Sequence, residues 1–127
     1  MAATSIPWLA TVIPVLNEEH HIEDCLSSLV SQTLDSNEHM VMVVDGGSTD
    51  STVAIVNEMI SKSKNVNGPE IILLNNIDRF VPQARNMALN FLPTEVTHVL
   101  EYNGHIKSEP DHLLRLKSEW SRIAKLH

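Results

Sequence analysis

The sequence predicts an α/β fold in which a mostly parallel sheet carries helices on both faces. Two observations support this. Residues 9–15 (LATVIPV) and 40–44 (MVMVV) are short, unbroken apolar runs, the pattern of strands buried on both faces. Each is followed by turn-forming residues and then by apolar residues at helical spacing. The full order reads βαβαβαβα, and strands alternating with helices imply parallel pairing through crossovers.

In chain order, the first strand is 9–15, with Pro14 near its end, where a lost ladder donor matters least. Asn17 is expected to cap the first helix, with Glu18 and Glu19 in its first turn. That helix buries Ile22, Cys25, Leu26, Leu29 and Val30, a single 3.6-period face. The second strand, 40–45, ends in Asp45-Gly46-Gly47. The second helix spans about 49–63 and buries Val53, Val56, Met59 and Ile60. Asn67-Gly68-Pro69 breaks the chain before the third strand, 70–74. After a loop with Asp78 and Arg79, a third helix covers about 81–92. Pro82 is tolerable in its first turn, and its inner face is Ala84, Met87, Ala88, Phe91 and Leu92. The fourth strand is 97–102. The last helix begins near Pro110 and buries Leu113, Leu116, Trp120 and Ile123. The whole is Rossmann-like, and residues 1–127 read as a single domain. Right-handed crossovers bring loops 15–19, 45–50 and 103–105 to one sheet edge, where ligands of open α/β sheets bind.

Composition narrows the function. Nine Lys and Arg against 16 Asp and Glu leave a net charge of −7. That excess argues against nucleic acid or an anionic membrane as the main partner. Cys25 is the single cysteine, so no intrachain disulfide forms, as befits a reducing compartment. The sequence shows no signal peptide, and no apolar run approaches the ~20 residues of a membrane helix.

Asp45 carries two readings: a carboxylate that accepts from a nucleobase or ribose, or a turn and capping acid. Asp50 reads as a helix-start acid. The Gly46-Gly47 pair belongs to neither a G-x-G-x-x-G nor a Walker loop. Arg85, one turn into the third helix, can reach a diphosphate or stand in solvent. Asn103 and His105 offer an amide oxygen and an imidazole to a cation, or simply form an Asn-Gly turn. His20, His21, His39, His98 and His112 lack metal spacing and read as surface or capping residues. Cys25 lies on an apolar face and reads as core.

Three segments together carry a resemblance: Thr11-Val12-Ile13-Pro14-Val15-Leu16-Asn17-Glu18-Glu19, Val43-Val44-Asp45-Gly46-Gly47-Ser48-Thr49-Asp50-Ser51-Thr52, and Ala84-Arg85-Asn86. The chain resembles the family-2 glycosyltransferases, inverting enzymes of the GT-A nucleotide-sugar fold, and within them the exopolysaccharide (succinoglycan-type) branch. The resemblance implies part of a GT-A fold that binds a nucleoside-diphosphate sugar, with a UDP-sugar favoured. The reaction implied is inverting transfer to an acceptor hydroxyl in polysaccharide or glycolipid synthesis. By the same resemblance, Pro14, Val15 and Glu18 line the nucleotide pocket, Asp45 binds the base, and Arg85 lies near the base or diphosphate. Asn103 and His105 stand where the family keeps a metal-binding D-x-D, implying Mg²⁺ or Mn²⁺.

Two departures accompany the resemblance. Asn103 replaces the leading acid of the metal motif, and the family's general base and acceptor-binding segment fall beyond the matched part. The alternative reading is therefore a non-catalytic nucleotide-binding or interaction module. Further expectations are a homo-oligomer or a partner chain against the last strand's open edge, and a cytoplasmic location or attachment to the inner membrane face through segments absent here.

Overall fold

The computed structural model describes residues 7–76 and 81–126, the side chains of 81–85 and 122–126 excepted. Four strands form one sheet: β1 (Leu9–Val15), β2 (His39–Asp45), β3 (Glu70–Asn75) and β4 (His98–Glu101). Their order is β3-β2-β1-β4, and every pair is parallel. Four α-helices connect and follow them: α1 (Ile22–Val30), α2 (Thr52–Asn65), α3 (Val81–Phe91) and α4 (His112–Leu126).

The two central strands show why apolar runs, not alternation, mark them. Side chains of successive residues leave a strand on opposite faces. Leu9, Ile13 and Val15 of β1 and Val41 and Val43 of β2 join one core with α1, α2 and α4, through Ile22, Leu26, Leu29, Val56, Met59 and Leu113. Ala10, Val12, Met40, Met42 and Val44 join a second core with Ala88 of α3. Both faces are therefore covered, three helices on one and α3 on the other, and a polar residue in either register would be buried.

Pro14 shapes the end of the sheet. Tyr102 N–H donates to the Val12 carbonyl at 2.9 Å, and the β1–β4 register stops at Val12 and Glu101. The next rung of a parallel ladder would need an N–H from residue 14, which proline lacks. The chain consequently leaves the sheet at Asn103, while β1 stays paired with β2 as far as Val15 and Asp45.

Several expectations are corrected. The first helix starts at Ile22, not beside Asn17, and no side chain caps it. The second starts at Thr52, because residues 46–51 are held in a loop by side-chain bonds. Phe91, expected in the core, is 62 % exposed; the face of α3 that meets the sheet is centred on Ala88. Ala84, Ile123, Asp78 and Arg79 fall among the side chains outside the described set. Cys25 is core as expected, and burial, with the Glu18 carboxylate adding to it, pushes its thiol up to about 12.

His39 is the largest departure. Expected at the surface, it is 1 % exposed, and neither ring nitrogen has a hydrogen-bond partner. Burial pushes its pKa down to about 4, partly opposed by Glu38. The depressed value means that folding favours the neutral ring. This contribution is fully present above the ordinary value of ~6.5 and is lost as pH falls through the window to about 4. Melting temperature measured across that window should drop less steeply for His39→Phe than for the parent chain. Identical slopes would show that His39 does not carry the acid sensitivity.

Candidate nucleotide site

The carboxyl edge of the sheet gathers the β1–α1 loop, the β2–α2 loop and the chain after β4. The first two are tied to each other residue by residue. Gly46 N–H donates to the Val15 carbonyl at 2.9 Å. Asn17 N–H donates to Ser48 Oγ at 2.9 Å, and Glu18 N–H to Thr52 Oγ1 at 2.8 Å. In return, Asn17 Oδ1 accepts from Thr49 N–H at 2.8 Å and from Asp50 N–H at 3.3 Å. Asn17 holds a left-handed backbone with φ 52°, a conformation asparagine tolerates better than most residues. Its side chain therefore staples the neighbouring loop instead of capping its own helix.

Asp45 is 5 % exposed at the end of β2. Its Oδ2 accepts from Gly47 N–H at 3.0 Å and Ser48 N–H at 3.1 Å, and its Oδ1 from the Ser48 hydroxyl at 2.5 Å. Gly47 has φ 96°, which this turn requires and a side chain would resist. Oδ1 also accepts from Ser48 N–H at 3.3 Å, so the turn's own donors approach both oxygens of this carboxylate. Asp50 accepts from Thr52 N–H at 2.9 Å and from Glu19 N–H at 3.3 Å. Desolvation works upward on its carboxyl, but the bonds from Thr52 and Glu19 prevail and hold it below the ordinary value. The N–H groups of residues 46–50 are thus satisfied within the loops, leaving no backbone nest of the kind that cradles phosphates.

The third loop closes on the first through Glu18. Its carboxylate Oε2 stands 3.2 Å from His105 Nε2, and the His105 ring meets His21 edge to face with centroids 4.7 Å apart. A Cβ placed on Gly104 would lie 3.1 Å from Glu18 Cγ, so glycine there lets the carboxylate pack close. Asn103 Oδ1 accepts from His105 N–H at 2.9 Å, the Asx turn that Asn-Gly favours.

Of the residues singled out from sequence, Pro14, Val15, Glu18, Asp45, Asn103 and His105 meet at this one edge. Arg85 belongs to α3, and its side chain is outside the described set. Hard cations prefer several oxygen ligands, carboxylates above all. Here the amide of Asn103 faces its own turn, and a single carboxylate, Glu18, stands beside His105. Among the described residues no group of three or more His, Cys, Asp or Glu side chains is arranged to hold a metal ion. Asn17 caps no helix; with Ser48 and Thr52 it joins the two loops. The available signal was the density of small hydroxyl and amide residues in two loops that the topology makes neighbours.

The profile of "Glycosyl transferase family 2" matches residues 11–123. The chain belongs to this family. Among characterised relatives, the poly(ribitol-phosphate) beta-glucosyltransferase of Bacillus spizizenii is 33% identical over 102 residues, covering 80% of this chain and 16% of that protein. The succinoglycan biosynthesis protein ExoA of Rhizobium meliloti is 30% identical over 105 residues, covering 83% of this chain and 30% of that one. Among solved structures, S. aureus TarS 1–349 in complex with UDP superposes with a TM-score of 0.73 at 26% identity, covering 87% of this chain and 31% of that one. A mannosyltransferase of Pyrobaculum calidifontis, solved with GDP-Man and Mn²⁺, gives 0.61 at 26% identity, covering 69% and 25%. The chain therefore spans less than a third of each of these proteins. No described helix is long and apolar enough to cross a membrane.

The Asn17 staple generates a test. Asn17→Gly keeps the left-handed backbone but removes the double acceptor. It should cost about 1–2 kcal/mol in denaturant unfolding and speed amide exchange at Thr49 and Asp50. Unchanged stability and exchange would show that the loops hold without it.

Proposed function

We propose that the interlocked loops at the carboxyl edge bind the nucleoside diphosphate of a sugar donor, with uridine favoured as the nucleoside. The longer protein that includes such a domain would transfer the sugar, with inversion, to an acceptor hydroxyl in polysaccharide or glycolipid synthesis. The observation that carries this reading is Asp45: a buried carboxylate fixed by its own turn at the sheet edge, between the loops that the topology gathers there. Such a group recognises a base N–H because rigid acceptors lose little freedom on binding. Relatives bound to UDP and to GDP-Man support the ligand class.

Pro14 and Val15 give the site its apolar wall next to Asp45, and Glu18 sets the position of the loop after β4. Arg85 lies one turn into α3, which follows β3 at the same edge, and its guanidinium suits a diphosphate. A divalent ion, when bound, would neutralise charge on the departing diphosphate. The protein's own part is to fix the base and orient the diphosphate.

A second reading is favoured by Asn103. With an amide turned into its own loop where the family motif has an acid, the domain would bind nucleotide without turning it over. Donor hydrolysis by the isolated chain would exclude the second reading.

Calorimetric titration with UDP checks the base contact. Asp45→Ala should weaken binding by about tenfold or more, the size of one charge-assisted hydrogen bond, and by more than Asp50→Ala. Equal losses would sink the role given to Asp45. Asn103→Asp should tighten UDP binding in the presence of Mn²⁺ by supplying the absent charge; an unchanged affinity would leave this loop a turn and nothing more.

A further inference from the structure

A cavity of about 510 Å³ opens at the amino edge of the sheet, lined by Trp8, His98 and Trp120. Trp8 precedes β1, His98 opens β4 opposite Leu9, and Trp120 reaches both rings from α4. The chain has two tryptophans, and both line this cavity. The strand β1 runs seven residues from Leu9 to Val15, so the cavity lies roughly 20 Å from the nucleotide loops.

The rings are set before anything binds. His98 is tilted 32° from Trp120 with centroids 4.5 Å apart, and Trp8 stands nearly perpendicular to each of them. Thr97 and His98 N–H donate to the Trp8 carbonyl at 2.9 and 3.1 Å, and Trp8 N–H to the Glu38 carbonyl at 3.1 Å. All three rings are half-buried, so each keeps surface that a ligand can touch. A wall locked in advance loses little freedom on binding.

Glu38 and Lys117 form the polar side of the cavity. Lys117 Nζ donates to Glu38 Oε1 at 2.7 Å, and Trp8 Nε1 donates to the same oxygen at 2.9 Å. Both bonds fall on Oε1, so Oε2 keeps its lone pairs and the ammonium keeps further N–H donors. The side chains of Glu38 and Lys117 are 26% and 44% exposed, within a ligand's reach. The Lys117 bond, opposed by desolvation and helped by the Trp8 bond, holds the Glu38 carboxyl below its ordinary value.

This lining narrows the ligand. The paired charges cancel, which disfavours an ion of either sign. That includes the cation an aromatic cage alone would suit, because Lys117 repels it. A wholly apolar ligand would strip water from the ion pair and give nothing back. A pyranose meets both demands. Its C–H face carries the partial positive charge that the faces of aromatic rings attract. Of two adjacent hydroxyls, one donates to Glu38 Oε2 and its neighbour accepts from Lys117 Nζ. The volume falls within the range of small-molecule sites.

We infer that the cavity between Trp8, His98 and Trp120 binds a neutral pyranose unit of a glycan, at a site separate from the nucleotide loops. The test is NMR on the nitrogen-labelled chain, titrated with cellobiose and with N,N′-diacetylchitobiose, and with choline as the cationic control. One or both disaccharides should shift the two indole N–H signals saturably, while the Asp45 and Ser48 amides stay in place. Choline should shift neither indole. Trp120→Leu should abolish the response at Trp8. Lys117→Met, a change at a half-exposed side chain, should weaken disaccharide binding about fivefold, the size of one hydrogen bond, so the test survives if the first variant fails to fold. Indole signals unmoved by both disaccharides, an equal response to choline, or undiminished affinity in Lys117→Met would overturn the assignment. Nucleotide plays no part in the titration, so its outcome is independent of whether UDP binds.

Discussion

The candidate site depends on the amide oxygen of Asn17 accepting from two N–H groups of the neighbouring loop. Loops at strand ends expose backbone groups that must be paired or solvated, and the β2–α2 loop has six residues between Asp45 and Thr52. Asn17 satisfies two of its donors, Asp45 takes those of Gly47 and Ser48, and Asp50 takes that of Thr52. Each bond is modest in net worth. Together they fix the direction in which Asp45 points and bring Glu18 against His105. A rigid edge follows from polar residues that would otherwise favour disorder.

That edge is held up by the two central strands. β1 and β2 pair over their whole length and bury side chains into both cores. Val15 and Asp45 are opposite each other in register, so the loops that follow start side by side. Pro14 then ends the pairing with β4 one rung early and releases the chain at Asn103. The same residue that weakens the sheet creates the third wall of the site.

Much of this was legible in the sequence. The buried runs at 9–15 and 40–45 specified the sheet, because few other structures tolerate unbroken apolar stretches of that length between turn signals. The convergence of the three loops followed from parallel pairing, which puts the carboxyl ends of all the strands at one edge. What was illegible depended on side chains meeting across long sequence distances. Asn17 has the composition of a helix cap, and no local pattern tells a cap of its own helix from a staple on a loop 32 residues away. His39 precedes an apolar strand after a polar turn, which reads as surface; its burial comes from packing around the amino ends of the strands. Phe91 sits on the helical stripe by spacing, yet the sheet meets α3 over Ala88, where a small residue allows close approach. The Asn103 turn was readable, since Asn-Gly encodes it locally. Its proximity to Glu18 was not.

The central claim is that loops 15–19, 45–52 and 103–105 act as one prebuilt nucleotide-binding surface. Amide chemical-shift mapping of the chain with UDP tests it most directly. The account predicts saturable shifts that cluster in those three loops and in the first turn of α3, with the amino-end residues of β2 and β3 unmoved. Shifts confined to the amino end of the sheet, or none at all, would contradict it.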